Sequence, residues 1–286
     1  MSRVFLSFFA VCFFCGVIAS GDNDLLVTLG HGGSLAGINL VSSKGRDIRS
    51  FLGIPYAKPP VGSLRFESPV PFPSWEGTRN ATADGSNCPQ TFPLSPNQKV
   101  EGNEDCLFVN VYTPPVTRIP KAGLAVMVWI HGGAWIGGSN HHLMYGPHYL
   151  LDQDIVLVAI NYRVGPLGFM STETLDCPGN YGLKDQVEAL RWVRQHISSF
   201  GGNPDSVTIF GESAGGASVS YLLQSDKPRG LFHRAIPQSG TIFGSWSQPL
   251  HKGVAQSRAV KMAEFFNCDN EEKDWKKMVS CLMLSR

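Results

Sequence analysis

The stretch from Val207 to Gln224 constrains the fold most. A short apolar run, Val207-Thr208-Ile209-Phe210, meets Gly211-Glu212-Ser213-Ala214-Gly215, and a helix-forming segment follows from about Ala214 to Gln224. A strand that bends straight into a helix needs small residues at the bend, where backbone packs on backbone. The strand needs partners in a sheet, and the helix has to fold back across it. The neighbouring sequence repeats the pattern. Leu107–Tyr112, Leu124–Ile130 and Ala235–Gln238 read as strands, and Ile155–Asn161 is a continuous apolar run, as in strands buried on both faces. A helix is expected from about Tyr181 to Phe200, where Leu183, Val187, Leu190, Val193 and Ile197 recur at helical spacing. Gly201-Gly202 ends it, and Asn203-Pro204-Asp205 reads as a turn. Strands alternating with helices predict right-handed crossovers and an α/β architecture, with a mixed, mostly parallel sheet flanked by helices.

Upstream, Leu25–Leu29, Leu35–Val41 and Ile48–Ile54 read as short strands, and residues 55–100, dense in Pro, Gly, Ser and Asn, as mostly irregular chain. Residues 1–20 have the form of a secretory signal peptide: Arg3, a nearly unbroken apolar run from Val4 to Val17, then small residues. The run is short for a membrane span, and no later segment is long and apolar enough to cross a bilayer. The expected compartment is therefore extracellular, with a domain from residue 21 to 286. Of seven cysteines, Cys12 and Cys15 fall inside the signal. Chain proximity favours Cys88–Cys106 and Cys268–Cys281 among the other five, leaving Cys177, although spacing alone leaves the connectivity open. Asn80-Ala81-Thr82 is a glycosylation sequon. Outside the signal, where Cys12 and Cys15 are spaced C-x-x-C, no C-x-x-C or H-E-x-x-H spacing points to a metal, so none is expected. A net charge of +1 carries no basic stripe for nucleic acid. The lysines between Lys252 and Lys277 are interleaved with Asp269, Glu271, Glu272 and Asp274, which reads as a solvated mixed-charge surface. Oligomeric state leaves no sequence signal.

The bend at Ser213 also carries chemistry. G-x-S-x-G between a strand and a helix is the nucleophile elbow, which lifts a serine oxygen to the top of a sheet, at the positive end of a helix dipole. A nucleophilic serine needs donors for the oxyanion it creates. His131-Gly132-Gly133-Ala134, directly after the strand ending at Ile130, has the form that supplies backbone N–H groups for this purpose.

Longer segments resemble the type-B carboxylesterases, the family that includes the cholinesterases. They are Glu104-Asp105-Cys106-Leu107-Phe108-Val109-Asn110-Val111-Tyr112-Thr113-Pro114, Phe51-Leu52-Gly53-Ile54-Pro55-Tyr56-Ala57, Asn161-Tyr162-Arg163, Gly179-Asn180-Tyr181-Gly182-Leu183-Lys184-Asp185-Gln186 and Phe200-Gly201-Gly202-Asn203-Pro204. The resemblance implies an α/β-hydrolase fold and cofactor-free hydrolysis of small-molecule carboxylic esters through an acyl-enzyme. It implies Ser213 as nucleophile and the N–H groups of Gly133, Ala134 and Ala214 as oxyanion donors. Glu212 corresponds to a buried carboxylate that tunes the site. Arg65 and Glu104 match a structural ion pair, and Cys88 and Cys106 the first disulfide loop.

In this fold the triad acid and histidine follow the serine along the chain. The resemblance puts both beyond Arg286, so residues 21–286 are expected to be the first part of a larger domain. His233 lies in a scaffold-like segment, Gly230-Leu231-Phe232-His233-Arg234, and His251 has no supporting motif; neither is expected to be the base. His131 is expected to make a structural hydrogen bond. Between Cys88 and Cys106 the single aromatic residue is Phe92. A choline-stacking tryptophan is thus missing, and an aliphatic or aromatic ester is expected in place of acetylcholine. The alternative expectation is a catalytically inactive relative, a cholinesterase-like adhesion protein or an ester binder.

Overall fold

Alternation along β7 (Leu124–Ile130) and β8 (Val156–Ile160) sorts the core into two layers. Val126, Val128, Ile130, Val156, Val158 and Ile160 enter the main apolar cluster on one face of the sheet. Leu157 and Ala159 enter a second cluster on the other face, against Met127 and Trp129. Successive side chains of a strand point to opposite faces, so both faces of β8 must be covered, and all five of its residues are buried. The computed structural model describes residues 22–285, apart from residues 31, 92–98, 250 and 269–272. The expected signal peptide and Phe92 lie outside the described residues.

The remaining strands are β1 (Leu26–Thr28), β2 (Ser34–Ala36), β3 (Ile38–Val41), β4 (Asp47–Pro55), β5 (Thr78–Asn80), β6 (Phe108–Thr113), β9 (Gly202–Glu212) and β10 (Arg234–Gln238). Seven form one sheet in the order β10-β9-β7-β8-β6-β4-β3, and β1, β2 and β5 form a small second sheet. Pairing is parallel from β10 to β8 and antiparallel from β8 to β3. Parallel neighbours need crossovers, and the crossover from β9 to β10 is a helix packed on them, α4 (Ala214–Gln224). The other helices are α1 (His142–Tyr145), α2 (Gly165–Phe169), α3 (Tyr181–His196), α5 (Val254–Phe265) and α6 (Trp275–Leu284). α3 continues through a tighter turn to Phe200, matching the expected extent. Among the described residues, no helix is long and apolar enough to span a membrane.

Three expectations change. Leu35–Val41, read as one strand, splits at Gly37 into β2 and β3, which belong to different sheets. Asn203-Pro204-Asp205 lies inside β9, where the register against β7 breaks between Leu124 and Val126. The turn chemistry survives as a bulge: the Asp205 N–H donates to Asn203 Oδ1 at 2.8 Å. The mixed-charge C-terminal stretch is not merely solvated surface. Ala259 and Ala263, and Met278 and Leu282, fall four apart on α5 and α6 and pack against Phe66, Met170 and Tyr181. Cys268–Cys281 ties the two helices, and Cys88–Cys106 closes the other loop, both as chain proximity suggested. Cys177 is free and buried.

Arg65 and Glu104 form the expected scaffold pair, through Nε and Nη2 at 2.8 and 2.5 Å. Its remaining Nη1 donates to the carbonyls of Leu282, Met283 and Ser285, the end of α6, where backbone acceptors lack helical partners.

Candidate active site

Ser213 stands where β9 turns into α4, with φ 56° and ψ −120°. Few non-glycine residues hold such a conformation, which costs on the order of 1–3 kcal/mol. The surroundings hold it there. The Ser213 N–H donates to Gln238 O of β10 at 2.9 Å, and its carbonyl accepts from Ala217 N at 2.8 Å. A β-carbon on Gly215 would sit 2.1 Å from Ile130 O, so only glycine lets α4 start this close to β7. Ser213 is partly exposed, as a nucleophile must be. Ala214 is the first residue of α4, so its N–H has no acceptor within the helix.

β7 and β9 are paired in register, Ile130 opposite Gly211. The loop leaving β7 therefore runs beside Glu212 and Ser213. A β-carbon on Gly132 would lie 2.6 Å from Glu212 O and 3.2 Å from Ser213 Cβ. Gly133, Ala134 and Trp135 follow with φ of 107°, 54° and 58°. Gly133 O accepts from the N–H groups of Ile136 and Gly137 at 3.0 and 3.1 Å, closing a tight turn that holds the loop against the elbow.

His131 makes the structural hydrogen bond expected of it. Its Nδ1 lies 2.8 Å from Gly132 O, and a carbonyl only accepts, so Nδ1 carries the proton. The ring stacks on Tyr162 at 4.3 Å, whose hydroxyl donates to His131 O at 2.7 Å. Burial pushes the imidazole pKa down to about 4, so it is neutral at pH 7. Glu212 departs from expectation: it is exposed, not buried. Its carboxylate lies beside the loop after β7, where a β-carbon on Gly132 would come within 3.2 Å of Oε2. Its charge reaches Tyr145, whose pKa rises chiefly through burial and secondarily through Glu212.

A cleft of roughly 1170 Å³ opens beside this constellation, lined in part by Ala134, Trp135, Phe169, Tyr221 and Trp246. The Trp135 indole packs within 6.3 Å of the Phe169, Tyr221 and Trp246 rings. It is pinned by donating from Nε1 to Ser218 Oγ at 2.9 Å, a hydroxyl also bonded by Gln186. Sequence reasoning did not single out these aromatic residues. They come from separate segments, and no spacing rule joins them.

Among the described residues, no imidazole hydrogen-bonds Ser213 Oγ. His233 sits beside the middle of β9, exchanging hydrogen bonds with Val207, six residues before Ser213. His251 is exposed on the rim of the cleft, its Nδ1 on Lys252 O. Asn80 is exposed on the edge strand β5, open to solvent as a glycosylation acceptor must be.

Known proteins share this architecture. The solved structure of juvenile hormone esterase from Manduca sexta, with OTFP covalently attached, superposes with a TM-score of 0.82 at 34% identity, covering 92% of this chain and 49% of that one. Esterase FE4 of Myzus persicae is 46% identical over 271 residues, which cover 94% of this chain and 46% of that protein. Juvenile hormone esterase of Tribolium castaneum is 42% identical over 269 residues, covering 94% and 45%. The chain thus spans about half the length of the curated relatives it matches. The carboxylesterase family model matches residues 23–285. With its α/β-hydrolase fold, the chain belongs to the carboxylesterase family.

Proposed function

We propose that this chain carries the nucleophile and oxyanion hole of a secreted carboxylic ester hydrolase. The observation that supports it most is the strained Ser213, at the start of α4 and against the Gly132–Gly133 loop. Ser213 Oγ attacks the ester carbonyl carbon. The N–H groups of Gly133, Ala134 and Ala214 take up the negative charge on its oxygen, each worth roughly 3–4 kcal/mol in the transition state by precedent. The alcohol leaves with a proton, and water then cleaves the acyl-Ser213 ester. Glu212 sets the field beside the serine. Both steps need a base, with an acid to orient it, and no described imidazole supplies that base at Ser213. The aromatic cleft favours an apolar aliphatic or aromatic ester. The two disulfides suit an oxidising compartment, in keeping with secretion.

A fluorophosphonate probe applied to the full-length protein tests this reading. A covalent adduct on the peptide containing Ser213, lost in Ser213→Ala, is expected. A folded protein that takes no adduct there would instead favour the inactive adhesion or ester-binding reading.

A further inference from the structure

Outside the cleft, the segment after β5 and the start of α1 bring a carboxylate and two imidazoles together. Asp84 is nearly buried, with 8% of its side chain exposed, while His141 and His142 keep 40% and 25%. Asp84 Oδ1 is occupied by neutral donors, Asn110 Nδ2 at 2.7 Å and the His142 N–H at 3.2 Å. Its Oδ2 faces His142 Nδ1 at 2.5 Å and His141 Nε2 at 3.3 Å. The two rings lie side by side, centroids 5.2 Å apart and planes 16° apart. All three ligating atoms fall within 4.8 Å of one another.

We infer that Asp84, His141 and His142 form a binding site for a borderline divalent cation, Zn²⁺ first among them. Two imidazole nitrogens and one carboxylate oxygen are the donor set such ions prefer. In a tetrahedral Zn²⁺ site, bonds of 2.0–2.1 Å put neighbouring ligand atoms about 3.3 Å apart. The His141–Asp84 pair already has that separation. The His142–Asp84 pair has to open by about 0.8 Å, which a partly exposed side chain accommodates. The grip of Asn110 and the His142 N–H on Oδ1 is the kind of outer support that fixes a ligating carboxylate. His141 changes tautomer on binding: Nε2 gives its proton up, Nδ1 takes one, and the long 3.3 Å contact from the Leu143 N–H to Nδ1 is released. Exposure of both histidines leaves the fourth coordination position to water. No sequence motif pointed here, because Asp84 lies 58 residues from His142.

The test is calorimetric titration of Zn²⁺ into the purified, tag-free full-length protein, with Co²⁺ visible absorption as a second readout of coordination. The expected result is one equivalent bound per chain, weakened at least tenfold by His141→Ala and by His142→Ala and unaffected by His148→Ala, an exposed histidine bonded to Val41 O. Thermal melts confirm that each variant folds. Absence of binding in the folded wild type, or a Zn²⁺ stoichiometry and affinity unchanged in the double variant, would overturn the assignment and leave a purely structural Asp–His pair.

Discussion

His131 makes the stability of this protein fall steeply in weak acid, and the size of the fall follows from its burial. The imidazole is 1% exposed and its pKa is lowered from 6.5 to about 4, by burial against a smaller opposing effect of the Gly132 carbonyl. Between those two values the unfolded chain binds a proton that the folded chain does not, so stability drops as pH falls through about 6.5 and levels off below about 4. The full difference amounts to about 3 kcal/mol, of which about 2 kcal/mol is lost by pH 5. That is a large share of the 5–15 kcal/mol typical of a domain. His131→Asn keeps an N–H donor near the Nδ1 position and removes the titration. Urea unfolding of both proteins at pH 7 and pH 5 isolates the contribution, since all other groups titrate alike in the two. The wild type is expected to lose about 2 kcal/mol more than the variant between these pH values. Equal losses would refute the reasoning and mean that His131 binds its proton in the folded state.

Three further outcomes are expected. If the proposed esterase reading holds, Gly132→Ala in the full-length protein forces the loop about 0.6 Å away from Glu212 O, and kcat falls on the order of 10²-fold with KM little changed, as steady-state kinetics on a p-nitrophenyl ester will show. Arg163→Met removes the guanidinium that gives fully buried Asp185 two hydrogen bonds, at 2.8 and 2.7 Å, and leaves the carboxylate only the backbone N–H at 3.0 Å, so unfolding free energy drops by about 3–5 kcal/mol in urea titrations. Replacing Cys88 and Cys106 together by Ser opens a loop of 18 residues and costs about 3 kcal/mol by the chain-entropy relation, read from the melting temperature under non-reducing conditions.

Local rules reach far in this chain. β7 and α4 have the bounds that apolar patterning predicts, and β8 falls within its expected run, because strand and helix periods are properties of consecutive residues. The elbow was legible for the same reason: Gly211, Ser213 and Gly215 are adjacent, and the turn they build is local. The exposure of Glu212 was not, since exposure depends on what packs from elsewhere. α5 and α6 were obscured by charges on their solvent faces, with only a few apolar residues marking the buried side.

By itself the sequence determined the alternation of strands and helices, the serine at the bend and the glycine loop after β7; it favoured two disulfide pairs but left their connectivity to the structure. Only the tertiary structure decided that β7 lies beside β9, which brings Gly132 to within a β-carbon's contact of Ser213 across eighty residues of chain. It alone assembled the aromatic cleft around Trp135 and set Asp84 against His141 and His142. The division has one physical cause. Backbone preference and side-chain period act between near neighbours in sequence, whereas a site is made where the sheet's strand order closes long loops, and that order is chosen by burying the whole core at once.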